Sequence, residues 1–308
     1  MVQPRNYAAF VGLFVVILVS SVAESGFAGT KEREPMLVST SWLQEHLNDP
    51  SVIIFHVAPN RREYKYGHIP GARFLWTNAL QYSDPDLTLE LPSLAQADST
   101  LESLGVRNGV RIILCFDGAA VTPTTRVFFT FEYLGLGDRV SLLDGGLDAW
   151  KAEGRPMTTE MPEIQKGTFK PTAQSNVVVT CDEVRKDLDD PNVAIVDARG
   201  EQFYEGKGGG MPRAGHIPGA INIPFSNLVD STNKMKSPAE LKAIFQRAGV
   251  KPGSRIIAYC HIGQQASLVY FAAKYIGYSV QLYDGSFEEW SGRNDLPIDN
   301  PAQKKSGK

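Results

Sequence analysis

Six residues occur twice in the same order, as Gly67-His68-Ile69-Pro70-Gly71-Ala72 and again as Gly215-His216-Ile217-Pro218-Gly219-Ala220. An unchanged hexapeptide repeated within 308 residues signals the duplication of a whole folding unit. Its flanking landmarks keep their order. Gly105-Val106, Gly109 and Arg111 answer to Gly249-Val250, Gly253 and Arg255, and Asp144-Gly145 with Trp150 answers to Asp284-Gly285 with Trp290. Upstream, the apolar run 52–57 after Pro50 answers to 193–196 and Asp197 after Pro191. The sequence predicts tandem units over 36–157 and 175–298. Residues 151–176 between them are polar, carry Pro156, Pro162 and Pro171, and show no sustained apolar period, so 158–174 reads as a linker and 299–308 as a tail.

Each unit alternates strand and helix patterns. Short apolar runs at 52–57, 111–116, 194–196 and 255–259 are bounded by turn residues, as buried strands are. Helical patterns over 127–134 and 266–276 each stop at a glycine, Gly135 and Gly277. This alternation predicts an α/β fold, each domain a mainly parallel sheet flanked by helices, with ligands at the carboxyl ends of the strands.

A net charge of -3 gives no electrostatic footprint for nucleic acid or an anionic membrane surface. Three cysteines, Cys115, Cys181 and Cys260, are too few for a disulfide scaffold or a four-ligand zinc site. Near the start, Arg5, an apolar run over 8–19 and small residues up to Ala28 follow the order of a signal peptide, with Ala23 as the other cleavage point. Residues 1–28 are therefore read as a signal peptide. The mature protein is expected to be exported, to the bacterial periplasm, with no stable membrane span after cleavage.

The carboxyl-end rule singles out Cys260-His261-Ile262-Gly263-Gln264-Gln265-Ala266, which joins a buried strand to a helix. Backbone amides of such a loop can converge on one point, and the helix amino end adds partial positive charge. A thiol there is expected to ionise easily and so to serve as a nucleophile. The same amides suit an anion.

The doubled hexapeptide, Asp197-Ala198-Arg199, the cysteine loop and Tyr283-Asp284-Gly285-Ser286-Phe287-Glu288-Glu289-Trp290 together resemble the rhodanese family of sulfurtransferases, in its tandem-domain form. The resemblance implies two rhodanese-like domains. One loop cysteine of the second, Cys260, would take a sulfane sulfur from a thiosulfate-like donor and pass it to a thiol, cyanide or protein acceptor, without metal or organic cofactor. The loop residues His261, Ile262, Gly263, Gln264, Gln265 and Ala266 would bind the donor. The alternative implied by other relatives is a noncatalytic persulfide carrier or binding module for a partner protein.

The sequence also departs from the family pattern. His261 and Ile262 stand where thiosulfate-preferring relatives carry basic residues, which leaves the donor open. Of the arginines such relatives place before the hexapeptide, the one near Phe203 is absent. Arg213 matches the other and is the expected donor-binding residue, with Lys207 behind it. Asp197, Arg199, His68 and His216 are expected to be buried structural groups, and Cys181 a structural thiol. In the first unit two alignments stand: counted from Arg111, Phe116 matches Cys260, and counted back from Gly118, Cys115 does. The first predicts an inactive amino-terminal domain. A cysteine-dependent phosphatase or arsenate reductase would need an arginine six residues beyond the cysteine to clamp its oxyanion, and Ala266 stands there.

Overall fold

The computed structural model describes residues 1–2, 35–83, 85–118 and 121–306. The signal-peptide expectation covers 1–28, of which 3–28 lie outside the described residues. Among the described residues, no helix is long and apolar enough to cross a membrane.

The duplication predicted from the repeat is visible as two five-stranded parallel sheets of the same topology. The first holds β1 (Leu37–Val38), β2 (Val52–Ala58), β3 (Arg73–Trp76), β4 (Arg111–Phe116) and β5 (Val140–Leu143), in the order β1-β5-β4-β2-β3. The second holds β6 (Val178–Val179), β7 (Val193–Asp197), β8 (Ile221–Asn222), β9 (Arg255–Tyr259) and β10 (Ser279–Tyr283), in the order β6-β10-β9-β7-β8. Their apolar central strands are buried on both faces, as parallel strands covered by helices must be.

The repeated hexapeptide makes the same contacts in both halves. His68 Nδ1 lies 2.7 Å from the Tyr64 carbonyl and His216 Nδ1 lies 2.6 Å from that of Tyr204. The Tyr64 and Tyr204 hydroxyls donate to the carbonyls of Ala72 and Ala220. The motif ties a short helix to the strand that follows it, so it marks the fold rather than the chemistry.

The helix expected over 266–276 spans Gln264–Tyr275, and the larger departure is in the first domain. The helix expected over 127–134 starts earlier, spanning Val121–Phe131, and passes into a π-helical turn, Glu132–Leu136, that is broken at Gly135 with φ 89°. Its first turns were not recognisable because Thr122, Thr124 and Thr125 are polar. They are buried all the same, because this helix packs against the Gln264–Tyr275 helix of the second domain. Thr125 and Ser267 hydroxyls pair at 2.8 Å, and Phe128 meets Phe271 edge-on at 4.8 Å. The connecting segment lies along the first domain: Gly167 donates to Glu102, Thr172 to Leu134 and Gln174 to Tyr133, all through the backbone.

Candidate active site

Strand β9 runs at the centre of the second sheet and delivers Cys260 to its carboxyl end. The chain turns through 261–263 and enters the Gln264–Tyr275 helix from Gly263, whose φ of 82° favours glycine. The turn directs the amides of Ile262, Gly263, Gln265 and Ala266 on to the Cys260 sulfur. A second wall comes from the turn after β10. Ser286 Oγ accepts the Cys260 N–H at 3.3 Å, Phe287 N–H donates to the Cys260 carbonyl at 3.0 Å, and Glu288 N–H to that of His261 at 2.9 Å.

This is the amide cradle expected from the sequence, with one correction. Cys260 is 0% exposed, and burial pushes its thiol above the ordinary range while the four amides pull it back. The expectation of an easily ionised thiol counted the amides and the helix end; the desolvation comes from segments remote in sequence. The amides still favour any anionic sulfur formed at that point. His261 is half-buried, with its ring edge-on to Phe203 at 4.6 Å, and burial, followed by repulsion from Arg199, lowers its pKa. It presents a neutral imidazole near neutral pH, so it does not replace the missing basic residues.

Arg213 requires a second correction. Its guanidinium donates to four backbone carbonyls, those of Ser291 at 2.9 Å, Leu296 at 2.9 Å, Trp290 at 3.0 Å and Arg293 at 2.5 Å. The side chain closes the carboxyl end of the Ser286–Gly292 helix. Its guanidinium is thus directed at the chain's own carbonyls and not at the Cys260 loop as expected. Arg213→Ala is expected to lower stability by about 2 kcal/mol, because the carbonyls lose their partner, and to leave the KM for thiosulfate unchanged. Thermal melts and initial rates check both. Lys207 is exposed and pairs with Glu205.

Asp197 and Arg199 form a buried pair, as expected. Arg199 Nε and Nη2 reach the carboxylate at 2.9 and 2.6 Å, and Nη2 also donates to Gly215 of the hexapeptide at 2.7 Å. Tyr259 hydroxyl donates to Asp197 at 2.8 Å and accepts from Ile217 N–H at 3.2 Å. The pair thereby ties β7, β9 and the hexapeptide together directly behind the Cys260 loop.

Strand register decides between the two alignments of the first half. Val52 lies opposite Arg111 and Val193 opposite Arg255, which sets Phe116 in the place of Cys260 and Cys115 in that of Tyr259. Cys115 is therefore a buried strand residue, and burial, then Asp117, push its thiol up. Sequence reasoning overlooked His56 beside it, buried with neither ring nitrogen hydrogen-bonded, its Nε2 3.9 Å from Asp117 Oδ2 and its pKa lowered by burial to about 4. It also overlooked Arg126, whose partner lies in the other domain.

Fold and site together define a duplicated α/β protein with one cysteine held in an amide-lined loop. The model of the rhodanese-like domain matches residues 39–153 and 180–293. The sulfur carrier protein TtuD of Thermus thermophilus is 35% identical over 278 residues, covering 85% of this chain and 96% of the relative. The thiosulfate sulfurtransferase of Rattus norvegicus is 32% identical over 293 residues, covering 88% and 97%. The crystal structure of SseA from Escherichia coli, described as a 3-mercaptopyruvate sulfotransferase with the rhodanese fold, superposes with a TM-score of 0.74 at 30% identity, covering 82% of this chain and 99% of that one. The chain belongs to the rhodanese-like domain family, in its tandem form.

Proposed function

We propose that the protein is a sulfurtransferase in which Cys260 carries the sulfur. The observation that supports this most is the set of four amides turned on to a cysteine at the carboxyl end of the central strand. The Cys260 thiolate attacks the outer sulfur of thiosulfate, forming an S–S bond as the donor's S–S bond breaks, and sulfite leaves with that bonding pair. The anionic persulfide then sits among the amides, which act as an oxyanion hole does. Cyanide or a thiolate attacks the outer sulfur and returns the Cys260 thiolate. The first domain, with Phe116 at the matching position, serves as a scaffold.

Thiosulfate is the proposed donor and mercaptopyruvate the competing one, since the loop lacks the basic residues that would favour the doubly charged thiosulfate over a singly charged carboxylate donor. The amino-terminal sequence supports a role outside the cytoplasm, in the periplasm. A persulfide carrier is the second reading, favoured by the full burial of Cys260, which shields a stored persulfide as well as it hinders a small donor. Turnover separates the two. With thiosulfate and cyanide, steady release of thiocyanate is expected, whereas loading of one sulfur without turnover identifies a carrier. The absence of both loading and turnover contradicts both readings.

A further inference from the structure

Arg126 reaches from the first domain to the turn beside the Cys260 loop. It is 2% exposed, on the Val121–Phe131 helix, and its side chain crosses into the second domain. Nη1 pairs with Asp284 Oδ1 at 2.5 Å, and Nη2 donates to the Leu89 carbonyl at 2.5 Å. Leu89 holds φ 64°, a left-handed conformation that costs a side-chain-bearing residue energy and that packing must enforce. Asp284 Oδ2 accepts Leu91 N–H at 2.9 Å, and Glu288 Oε2 accepts the Thr88 N–H at 2.7 Å. Segment 88–91 and Arg126 thus grip the Asp284 turn from the first domain. That turn supplies Ser286, Phe287 and Glu288 to the wall of the Cys260 loop.

Arg126 also touches the loop itself. A methyl group placed on Gly263 would lie 2.9 Å from Arg126 Nη1 and 3.1 Å from the Asp284 carbonyl. The guanidinium therefore packs against one of the four peptides that face the sulfur. Breaking a buried pair of this kind leaves an uncompensated charge at that place.

We propose that Arg126, supplied by the domain that lacks the reactive cysteine, is a positioning residue for sulfur transfer: with Asp284 it fixes the Gly263 peptide and the Asp284–Glu288 turn, and it holds its positive charge against the cradle that faces Cys260, with Asp284 offsetting part of that charge. This inference rests on Cys260 as the sulfur-bearing residue. It gives the first domain a part in the chemistry although its own site holds Phe116.

Charge makes the test directional. The charged groups around the loop are the Arg126–Asp284 pair, the Arg199–Asp197 pair and Glu288, with His261 neutral. Arg126→Met leaves the Asp284 carboxylate unpaired beside the loop, and Asp284→Asn leaves the guanidinium unpaired. The measurement is the pH dependence of Cys260 alkylation by iodoacetamide, followed on its peptide in the full-length folded protein, together with single-turnover sulfite release. Arg126→Met is expected to move the alkylation midpoint up by about one pH unit and Asp284→Asn to move it down. Sulfite release should slow at least about tenfold in Arg126→Met, with partial recovery in Arg126→Lys.

A residue that merely braces the interface would lower the melting temperature of both variants and leave the midpoint where it is, or move it in one direction in both. Either result overturns the proposal. Should Arg126→Met not fold, Asp284→Asn decides alone: a lowered midpoint supports the proposal and an unchanged one overturns it. Absence of sulfite release from the unsubstituted protein counts against the sulfurtransferase reading, while the alkylation midpoints still report on Arg126.

Discussion

Gly263→Ala is expected to cut sulfur transfer about 100-fold, the effect of losing a preorganised donor from an anion-stabilising site, while the protein still folds. Gly263 holds φ 82°, and an added Cβ would meet Arg126 Nη1 at 2.9 Å and the Asp284 carbonyl at 3.1 Å. Alanine in this conformation costs about 1–2 kcal/mol. Part of that cost is relieved by rotating the peptide, which withdraws the amides of Gly263 and its neighbours from Sγ. Steady-state kinetics with thiosulfate and cyanide, beside a thermal melt, measure the two effects separately. A variant with full activity would show that the loop amides do not stabilise the persulfide.

Arg199→Met is expected to produce the larger loss of stability, about 3–5 kcal/mol, because it leaves Asp197 as a buried, unpaired carboxylate. Asp197 has no exposed surface and takes its charge balance from the guanidinium 2.6 Å away. The Tyr259 hydroxyl, which also donates to Asp197, cannot supply that charge. Denaturant unfolding should show the midpoint shift with little change in slope, and a double variant that also removes the carboxylate, Arg199→Met with Asp197→Leu, should regain part of the loss. A single variant as stable as the unsubstituted protein would contradict this account of the buried pair.

The duplication and the alternation of strands and helices were legible because they are written in local pattern. Strands over 111–116 and 255–259 fall on the expected residues, since short apolar runs between turn residues have few other solutions. The cysteine loop was legible for the same reason: a strand, a turn with glycine and a helix start are all local. Arg213 was misjudged because a matching position tells where a long side chain begins and not which carbonyls lie within its reach. The ionisation of Cys260 was misjudged because its amides come from the next six residues, but its burial comes from the whole domain. Arg126 gave no local signal at all; Asp284 lies 158 residues away, and only the packing of one domain on the other brings them together. The two alignments around Cys115 could be separated only by strand register, since they differ by one residue.

Peptide mass spectrometry after incubation with thiosulfate shows which thiol carries the sulfur. A gain of one sulfur atom is expected on the peptide containing Cys260, matched by an equal amount of sulfite and absent in Cys260→Ser, with the Cys115 and Cys181 peptides unchanged. Sulfur found on Cys115, or sulfite released with no gain at Cys260, would contradict transfer through Cys260 alone.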